Sequence, residues 1–179
     1  MTEQRWEAIE LLQATRDEFA VRVDDIDERL WHLVPATGGW SLAQVAEHVT
    51  LVEVSTGKLI ARKLFVEPAP EDVLAETRGN EAKLLGRVLD RTTRLEAPEF
   101  VSPKGRWPTR AELASAFLTS REMVIVQLSD PTRDLRRYAA PHPLIGPLDG
   151  YQWGMFLSLH LQRHLVQMEE ILRAVRNPQ

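Results

Sequence analysis

The chain contains no cysteine among its 179 residues. This absence excludes disulfide bonds, thiolate metal ligands and a cysteine nucleophile. Any metal ion must therefore be held by nitrogen or oxygen ligands, and any thiol chemistry must use an external thiol. Histidine, with five residues, is the candidate nitrogen ligand.

Long apolar runs and an excess of basic charge are also missing. No segment approaches the ~20 apolar residues that a membrane-spanning helix needs, and the N-terminal MTEQRWEAIE lacks the basic-then-apolar pattern of a signal peptide. We therefore expect a cytoplasmic protein that does not insert into a membrane. The net charge of −4 and the pI near 5.8 argue against a nucleic-acid-binding surface. We interpret the basic pair Arg136-Arg137 as part of a solvated loop, with anion recruitment as the alternative.

The composition is that of an ordinary globular protein, with 44% hydrophobic and 27% charged residues. The length suits one domain, so we expect residues 1–179 to form a single unit. Strand signals are nearly absent, whereas apolar positions recur with a helical period in several long segments. The sequence therefore predicts an all-α, up-down four-helix bundle, with any ligands projecting from facing helices into its core.

Capping residues and breakers set the expected helix boundaries. A side chain that caps a helix, followed three residues later by Gln or Glu, forms a capping box, and three helix starts carry this signal: Ser41 with Gln44, Thr109 with Glu112, and Asp149 with Gln152. The expected helices cover residues 2–33, 41–65, 71–96 (a shorter helix, weakened by Gly79 and Gly86) and 109–130, and a last helix begins after the Asp149 cap and keeps helical spacing to Ile171.

Two proline-rich segments are predicted to be loops. Residues 97–108 contain three prolines and one glycine and could cover one end of the bundle. Residues 131–150 contain four prolines and two glycines and are expected to form a crossover or lid loop that leads into the last helix. This second loop contains His142.

Three histidines are placed where they could hold one metal ion. His160 and His164 lie four residues apart, so they share one face of the last helix. His48 lies two turns into an earlier helix and faces the bundle interior. Such a set of imidazoles leaves coordination positions open for water or substrate. The alternative for each histidine is an ordinary core residue whose polar atoms are hydrogen-bonded.

Other polar residues have weaker claims to a role. His142 could reach over the site as an acid or base, or lie in solvent like most polar loop residues. Gln44 and Gln167 could orient ligands or substrate, or be ordinary polar residues of their helices. His32 is expected to interact with a helix C-terminus and to have no chemical role.

Three sequence segments resemble the DinB/YfiT-like superfamily of metal-dependent enzymes, which are built on a four-helix bundle. WSLAQVAEHV at residues 40–49 is similar to the motif of that family's second helix. Residues 153–167, with HLQRH at 160–164, are similar to the fourth-helix motif, and HPLIGPL at 142–148 is similar to the approach to it. Helix order matches over nearly the whole chain, although residues 66–108 carry no motif of the family.

The resemblance implies a ligand set and a range of chemistry. His48, His160 and His164 match the family's metal-ligand positions, which usually hold zinc, nickel or another divalent ion. Some members are similar to bacterial enzymes that use mycothiol, bacillithiol or glutathione to isomerise small electrophiles or conjugate them. Other members are described only as hydrolases, so the resemblance does not determine the substrate.

The leading hypothesis is an enzyme whose divalent metal activates a low-molecular-weight thiol or water for transfer or hydrolysis on a small molecule. Three neutral imidazoles suit this function because they leave the full charge of the ion and an open position. The second hypothesis is a non-catalytic bundle that binds a metal or small molecule, in which an ion only fixes helix register. A homodimer through a helix face is compatible with either hypothesis. The third hypothesis is a metal-free helical interaction domain.

Overall fold

The computed structural model describes residues 2–92 and 96–177, and most of them are helical. A π-helical segment, Ile60–Leu64, extends one helix, and single 3₁₀ turns occur at Glu99–Val101 and Leu135–Arg137. No helix in the described residues is long and apolar enough to cross a membrane. The α-helices are α1 Thr2–Asp25, α2 Glu28–Trp31, α3 Leu42–Leu59, α4 Glu71–Thr77, α5 Asn80–Val88, α6 Arg110–Ser129 and α7 Gly150–Arg176.

The four long helices α1, α3, α6 and α7 form the predicted four-helix bundle, whose core consists of two hydrophobic clusters. The first cluster lies where α1 and α7 begin and where α3 and α6 end, and it includes Leu12, Ile60, Leu128 and Leu157. The second cluster lies where α1 and α7 end and where α3 and α6 begin, and it includes Phe19, Val45, Phe117 and Met168. Helices α1 and α7 therefore run in one direction, and α3 and α6 run in the other.

A long crossover connects α3 to α6. Because these two helices run in the same direction, the chain must return along the length of the bundle before α6 can begin. The described residues 65–92 and 96–109 belong to this return, and α5 packs against α7 on the way. The predicted up-down order thus applies to the steps from α1 to α3 and from α6 to α7, whereas the step from α3 to α6 is a crossover.

Two of the predicted helices are interrupted. The first does not continue to residue 33: it ends at Asp25, because the Asp27 side chain accepts the backbone N–H of Arg29 (2.9 Å) and starts the separate helix α2. The helix expected over residues 71–96 is two helices, because Gly79 adopts a φ of +76° between α4 and α5. Residues 93–95 of that prediction lie outside the described residues.

A short β-hairpin replaces part of the loop that was expected at residues 131–150. Strand β1, Ala139–His142, pairs in antiparallel fashion with β2, Gly146–Asp149. The sequence did not predict this hairpin because prolines are rare inside strands, and here Pro141 and Pro147 face each other across the two strands. Asp149 both ends β2 and caps α7, so the hairpin determines where the last helix begins.

Candidate metal centre

Helix caps place the three candidate ligands. The capping boxes predicted at the starts of α3, α6 and α7 are all present. Ser41 caps α3, so His48 stands two turns into that helix. Asp149 caps α7, and His160 and His164 follow on adjacent turns of this helix. Because α3 and α7 pack side by side, the imidazole from α3 meets the two from α7.

The three imidazoles converge through their Nε2 atoms. The Nε2 atom of His160 lies 3.3 Å from that of His48 and 3.2 Å from that of His164. The three residues form a group in which one ligand atom from each lies within 4.8 Å of the others. The histidine cluster that the sequence predicted is therefore present in the structure.

Hydrogen bonds on the far side of two rings determine which nitrogen carries the proton. The Nδ1 atom of His48 lies 2.8 Å from the carbonyl oxygen of Val101, which can only accept, so Nδ1–H is the donor. The Nδ1 atom of His164 likewise donates to Oε1 of Gln167 at 2.7 Å. In the neutral rings, the Nε2 atoms of both residues are therefore unprotonated and present lone pairs to the cluster.

A divalent cation fits this arrangement better than hydrogen bonding does. His160 can carry at most one proton on Nε2, so it can satisfy only one of the two neighbouring lone pairs. Four-coordinate zinc with imidazole ligands at about 2.0–2.1 Å places the nitrogens about 3.3 Å apart, close to the separations of 3.2 and 3.3 Å found here. The donor set and these two distances are thus compatible with one divalent ion held by three histidines.

Burial keeps the cluster neutral. His48 and His164 are only 5% and 7% exposed. Desolvation is the main cause that lowers the pKa of His48, and it lowers the pKa of His164 to about 3. Desolvation, followed by the neighbouring imidazoles, also lowers the pKa of His160 well below its ordinary value. Neutral imidazole is the form that binds metal ions, so the rings need not lose a proton at neutral pH.

Aromatic side chains hold the rings from the sides. Trp40 packs on His48 with ring centroids 5.1 Å apart, and Phe156 packs on His160 at 5.5 Å. Phe156 lies one turn before His160 on α7, the spacing at which helical side chains meet. These contacts restrict rotation of the two imidazoles.

His142, the predicted acid or base, lies beside the cluster rather than in it. Its ring contacts Phe156 at a centroid distance of 4.5 Å and also packs on Trp153. Its Nδ1 atom accepts the backbone N–H of Leu144 at 3.2 Å, so the neutral ring carries its proton on Nε2. Burial lowers the pKa of His142 to about 4. A catalytic role for this residue stays a prediction.

The two glutamines of the sequence analysis have different roles. Gln167 orients His164 through the contact described above, whereas Gln44 completes the cap of α3 by accepting the backbone N–H of Ser41 at 2.9 Å. The sequence did not indicate that the carbonyl of Val101 or the carboxylate of Glu47 would contribute to the surroundings of the site. Both contacts involve the loop at residues 97–108, which carries no periodic pattern from which they could have been predicted.

The remaining sequence candidates lie elsewhere. His32 is the C-cap residue of the short helix α2 and is exposed, as expected for a residue at a helix end. The interpretation of Arg136 as a solvated loop residue is wrong, because its guanidinium binds Glu81 and Asp149 at 2.5 and 2.8 Å. Arg136 therefore joins α5 to the start of α7 instead of recruiting an anion.

Comparison with known proteins agrees with the fold. The sequence profile of the DinB superfamily matches residues 11–168. The chain belongs to the DinB superfamily. Among curated proteins, this DinB-superfamily chain is 25% identical over 145 residues to the uncharacterized protein YuaE of Bacillus subtilis (strain 168), a match that covers 81% of this chain and 84% of YuaE.

A solved structure shares the fold. The crystal structure of TT2238, a four-helix bundle protein, superposes with a TM-score of 0.58 at 19% identity and covers 93% of this chain and 98% of that one. At this identity the likeness concerns the fold alone. It agrees with the bundle of α1, α3, α6 and α7 that this DinB-superfamily chain forms.

Proposed function

We propose that this DinB-superfamily protein is a metal-dependent enzyme acting on a small molecule, with His48, His160 and His164 as ligands of one divalent ion. The convergence of three neutral Nε2 atoms at 3.2 and 3.3 Å carries the proposal. When bound, zinc, nickel or a similar ion would lower the pKa of a low-molecular-weight thiol or of water and so supply a nucleophile at neutral pH. Thiol transfer is the leading reaction and hydrolysis the neighbouring one.

The residues of the chain have distinct tasks in this proposal. The three imidazoles bind without adding negative charge, so the ion keeps its full charge toward the nucleophile. Because the chain has no cysteine, the thiol comes from a separate small molecule. Trp40 and Phe156 shield the imidazoles from water through the ring contacts described above. His142 enters the proposal as an acid or hydrogen-bond donor through Nε2–H, since its Nδ1 lone pair is occupied by Leu144.

A non-catalytic metal-binding bundle is the second candidate. One observation favours it: the lone pair of His142, the candidate base, is directed at the backbone of its own hairpin. In addition, the converging group consists of the three imidazoles of His48, His160 and His164, which are the candidate metal ligands themselves. In this case the ion would stabilise the packing of α3 against α7 and no turnover would be found.

The first experiment measures metal content in untagged protein. We expect about one equivalent of a divalent metal in the wild type, little in His160→Ala, and an unchanged content in the matched control His32→Ala, whose histidine lies outside the cluster. A chelator should lower the thermal midpoint of the wild type and of the control. Native protein without metal that gains no stability from added zinc or nickel would contradict the proposal.

The second experiment distinguishes the two candidates. Metal-loaded wild type is incubated with glutathione, bacillithiol or mycothiol and a panel of small electrophiles, and loss of free thiol is followed; ester and amide hydrolysis is followed in parallel. Turnover that is lost in His160→Ala and kept in His32→Ala supports the enzyme. Bound metal without turnover on any panel member favours the non-catalytic bundle.

A further inference from the structure

The carboxylate of Glu47 is held by the backbone of a loop. It accepts three consecutive N–H groups, from Lys104, Gly105 and Arg106, at 3.0, 2.9 and 2.8 Å. Glu47 is 6% exposed, and none of the ion pairs found among the described residues includes it. Successive backbone N–H groups of this kind form a cavity for an anion, and here the anion is the chain's own carboxylate.

The same loop contacts the candidate metal ligand that follows Glu47. The Val101 carbonyl, three residues before Lys104, accepts the Nδ1–H of His48 at 2.8 Å. Two consecutive residues of α3 thus bind the two ends of the segment 101–106. Consecutive helical residues point about 100° apart. The segment therefore wraps around the surface of α3 between Glu47 and His48.

The loop conformation that presents these N–H groups depends on Gly105. Its φ is +75°, a backbone conformation that residues with a side chain rarely adopt. A Cβ atom at this position would meet nothing within 4 Å, so the backbone conformation and not space favours glycine. On the other side of the segment, Ser102 hydrogen-bonds back to the carbonyl of Pro98 at 3.3 Å. The segment is thus anchored at several points.

The geometry points to Glu47 as a positioning residue for the metal centre, an inference that rests on the proposed function. Its carboxylate fixes the loop, the loop fixes the Val101 carbonyl, and the carbonyl keeps the proton of His48 on Nδ1. The Nε2 lone pair of His48 then stays directed at His160 and His164. Partners that orient metal-bound histidines in this way typically change metal affinity 10–100-fold when they are lost.

The test compares wild type with Glu47→Gln, whose amide cannot accept all three N–H groups. Zinc affinity is measured by competition with a chromogenic chelator, and we expect a fall of tenfold or more with the stoichiometry still near one. The matched control is Glu99→Gln, the same change in the same loop, where the carboxylate is exposed and pairs with the Lys104 side chain. Its affinity should equal that of the wild type.

Two readouts on metal-free protein separate this inference from the proposed function. In Glu47→Gln, the amides of residues 104–106 should exchange hydrogen faster. The ¹⁵N shifts of His48 should show loss of the pure Nδ1–H form. If the wild type binds no metal, the proposed function fails, while these two readouts still decide whether Glu47 positions His48. Unchanged exchange and an unchanged His48 tautomer would overturn the inference, as would unchanged zinc affinity in a wild type that binds zinc.

A second variant covers the case in which Glu47→Gln does not fold. Gly105→Ala leaves the carboxylate in place but disfavours the backbone conformation that presents the N–H groups. It should lower zinc affinity by severalfold and loosen the His48 tautomer. Gly79→Ala is its control, because Gly79 has nearly the same φ, +76°, and equally open surroundings at the start of α5. Equal affinities and tautomers in the two variants would overturn the inference.

Discussion

Glu53 on α3 and Arg121 on α6 form a two-pronged ion pair inside the bundle, with N–O distances of 2.7 and 2.8 Å. Their side chains are 2% and 0% exposed. The guanidinium also donates to the Leu12 carbonyl and the Thr15 hydroxyl on α1, each at 2.9 Å. One buried side chain therefore connects three of the four bundle helices, and its hydrogen bonds fix their relative axial positions.

Removing the negative partner of this pair should destabilise the protein strongly. We expect Glu53→Gln to lower the free energy of unfolding by about 3 kcal/mol, because it leaves a buried guanidinium without its counter-charge. Denaturant unfolding of the metal-free protein measures this. The control Glu71→Gln disrupts the exposed pair with Arg78 and should change stability by less than about 1 kcal/mol. Equal effects of the two substitutions on the free energy of unfolding would contradict the stabilising role of the buried Glu53–Arg121 pair.

Substitution by alanine should change the stability of the protein in opposite directions at Gly154 of α7 and at Gly86 of α5. A Cβ at Gly154 would lie 2.9 Å from Cδ1 of Leu128, so Gly154→Ala should cost about 1–3 kcal/mol of stability through overpacking. A Cβ at Gly86, in the last turn of α5, would meet nothing within 4 Å. Gly86→Ala should therefore stabilise by up to about 1 kcal/mol. Thermal unfolding of both variants checks the signs, and a stabilising Gly154→Ala would show that α6 and α7 pack less closely than described.

Gln167 should affect metal binding without being a ligand. Gln167→Ala removes the acceptor of the His164 Nδ1–H, so we expect zinc affinity to fall by about 10–100-fold while one equivalent still binds at saturation. Calorimetric titration measures both quantities. Gln13→Ala, an exposed glutamine on α1, is the control and should leave affinity unchanged. The same affinity in both variants would show that the orientation of His164 does not depend on this hydrogen bond.

His142 should make metal-free protein sensitive to acid. Burial lowers the pKa of His142 to about 4, whereas an unfolded histidine titrates near 6.5, so the unfolded chain takes up the proton first as the pH falls. Stability contributed by neutral His142 is therefore present above pH ~6.5 and is lost between about 6.5 and 4. Between pH 7 and 4.5, the wild type should lose about 2–3 kcal/mol more than His142→Gln does.

Denaturant unfolding at a series of pH values tests this difference. The two proteins differ at this residue alone, so their comparison measures the contribution of His142. Parallel pH profiles for the wild type and His142→Gln would contradict the burial of a neutral imidazole at the hairpin.

Helix starts and the pairing of His160 with His164 were predictable because both depend on short-range spacing. Ser41 with Gln44 and Asp149 with Gln152 identify the first turns of α3 and α7, and those caps determine which face each later residue occupies. The four-residue interval between His160 and His164 then brings their rings together. The family motifs indicated His48 as the third residue of the cluster.

Most of the features that the sequence did not predict depend on contacts between segments that are distant in sequence. Nothing near Glu47 indicates that its carboxylate binds the backbone of residues 104–106. Tertiary contacts likewise determine the ion pairs of Arg136, whose two carboxylate partners lie on other elements. The break at Asp27 was missed because a local cap competed with a hydrophobic period that continues through it.

The crossover between α3 and α6 also sets the order in which the site can form during synthesis. His48 and His160 are separated by 112 positions, so the first imidazole leaves the ribosome long before its partners exist. The contact between α3 and α7, which brings His48 to its two partners, can form only after α7 has emerged. The three-histidine site therefore assembles late, because it needs α7, the last helix of the bundle to be synthesised.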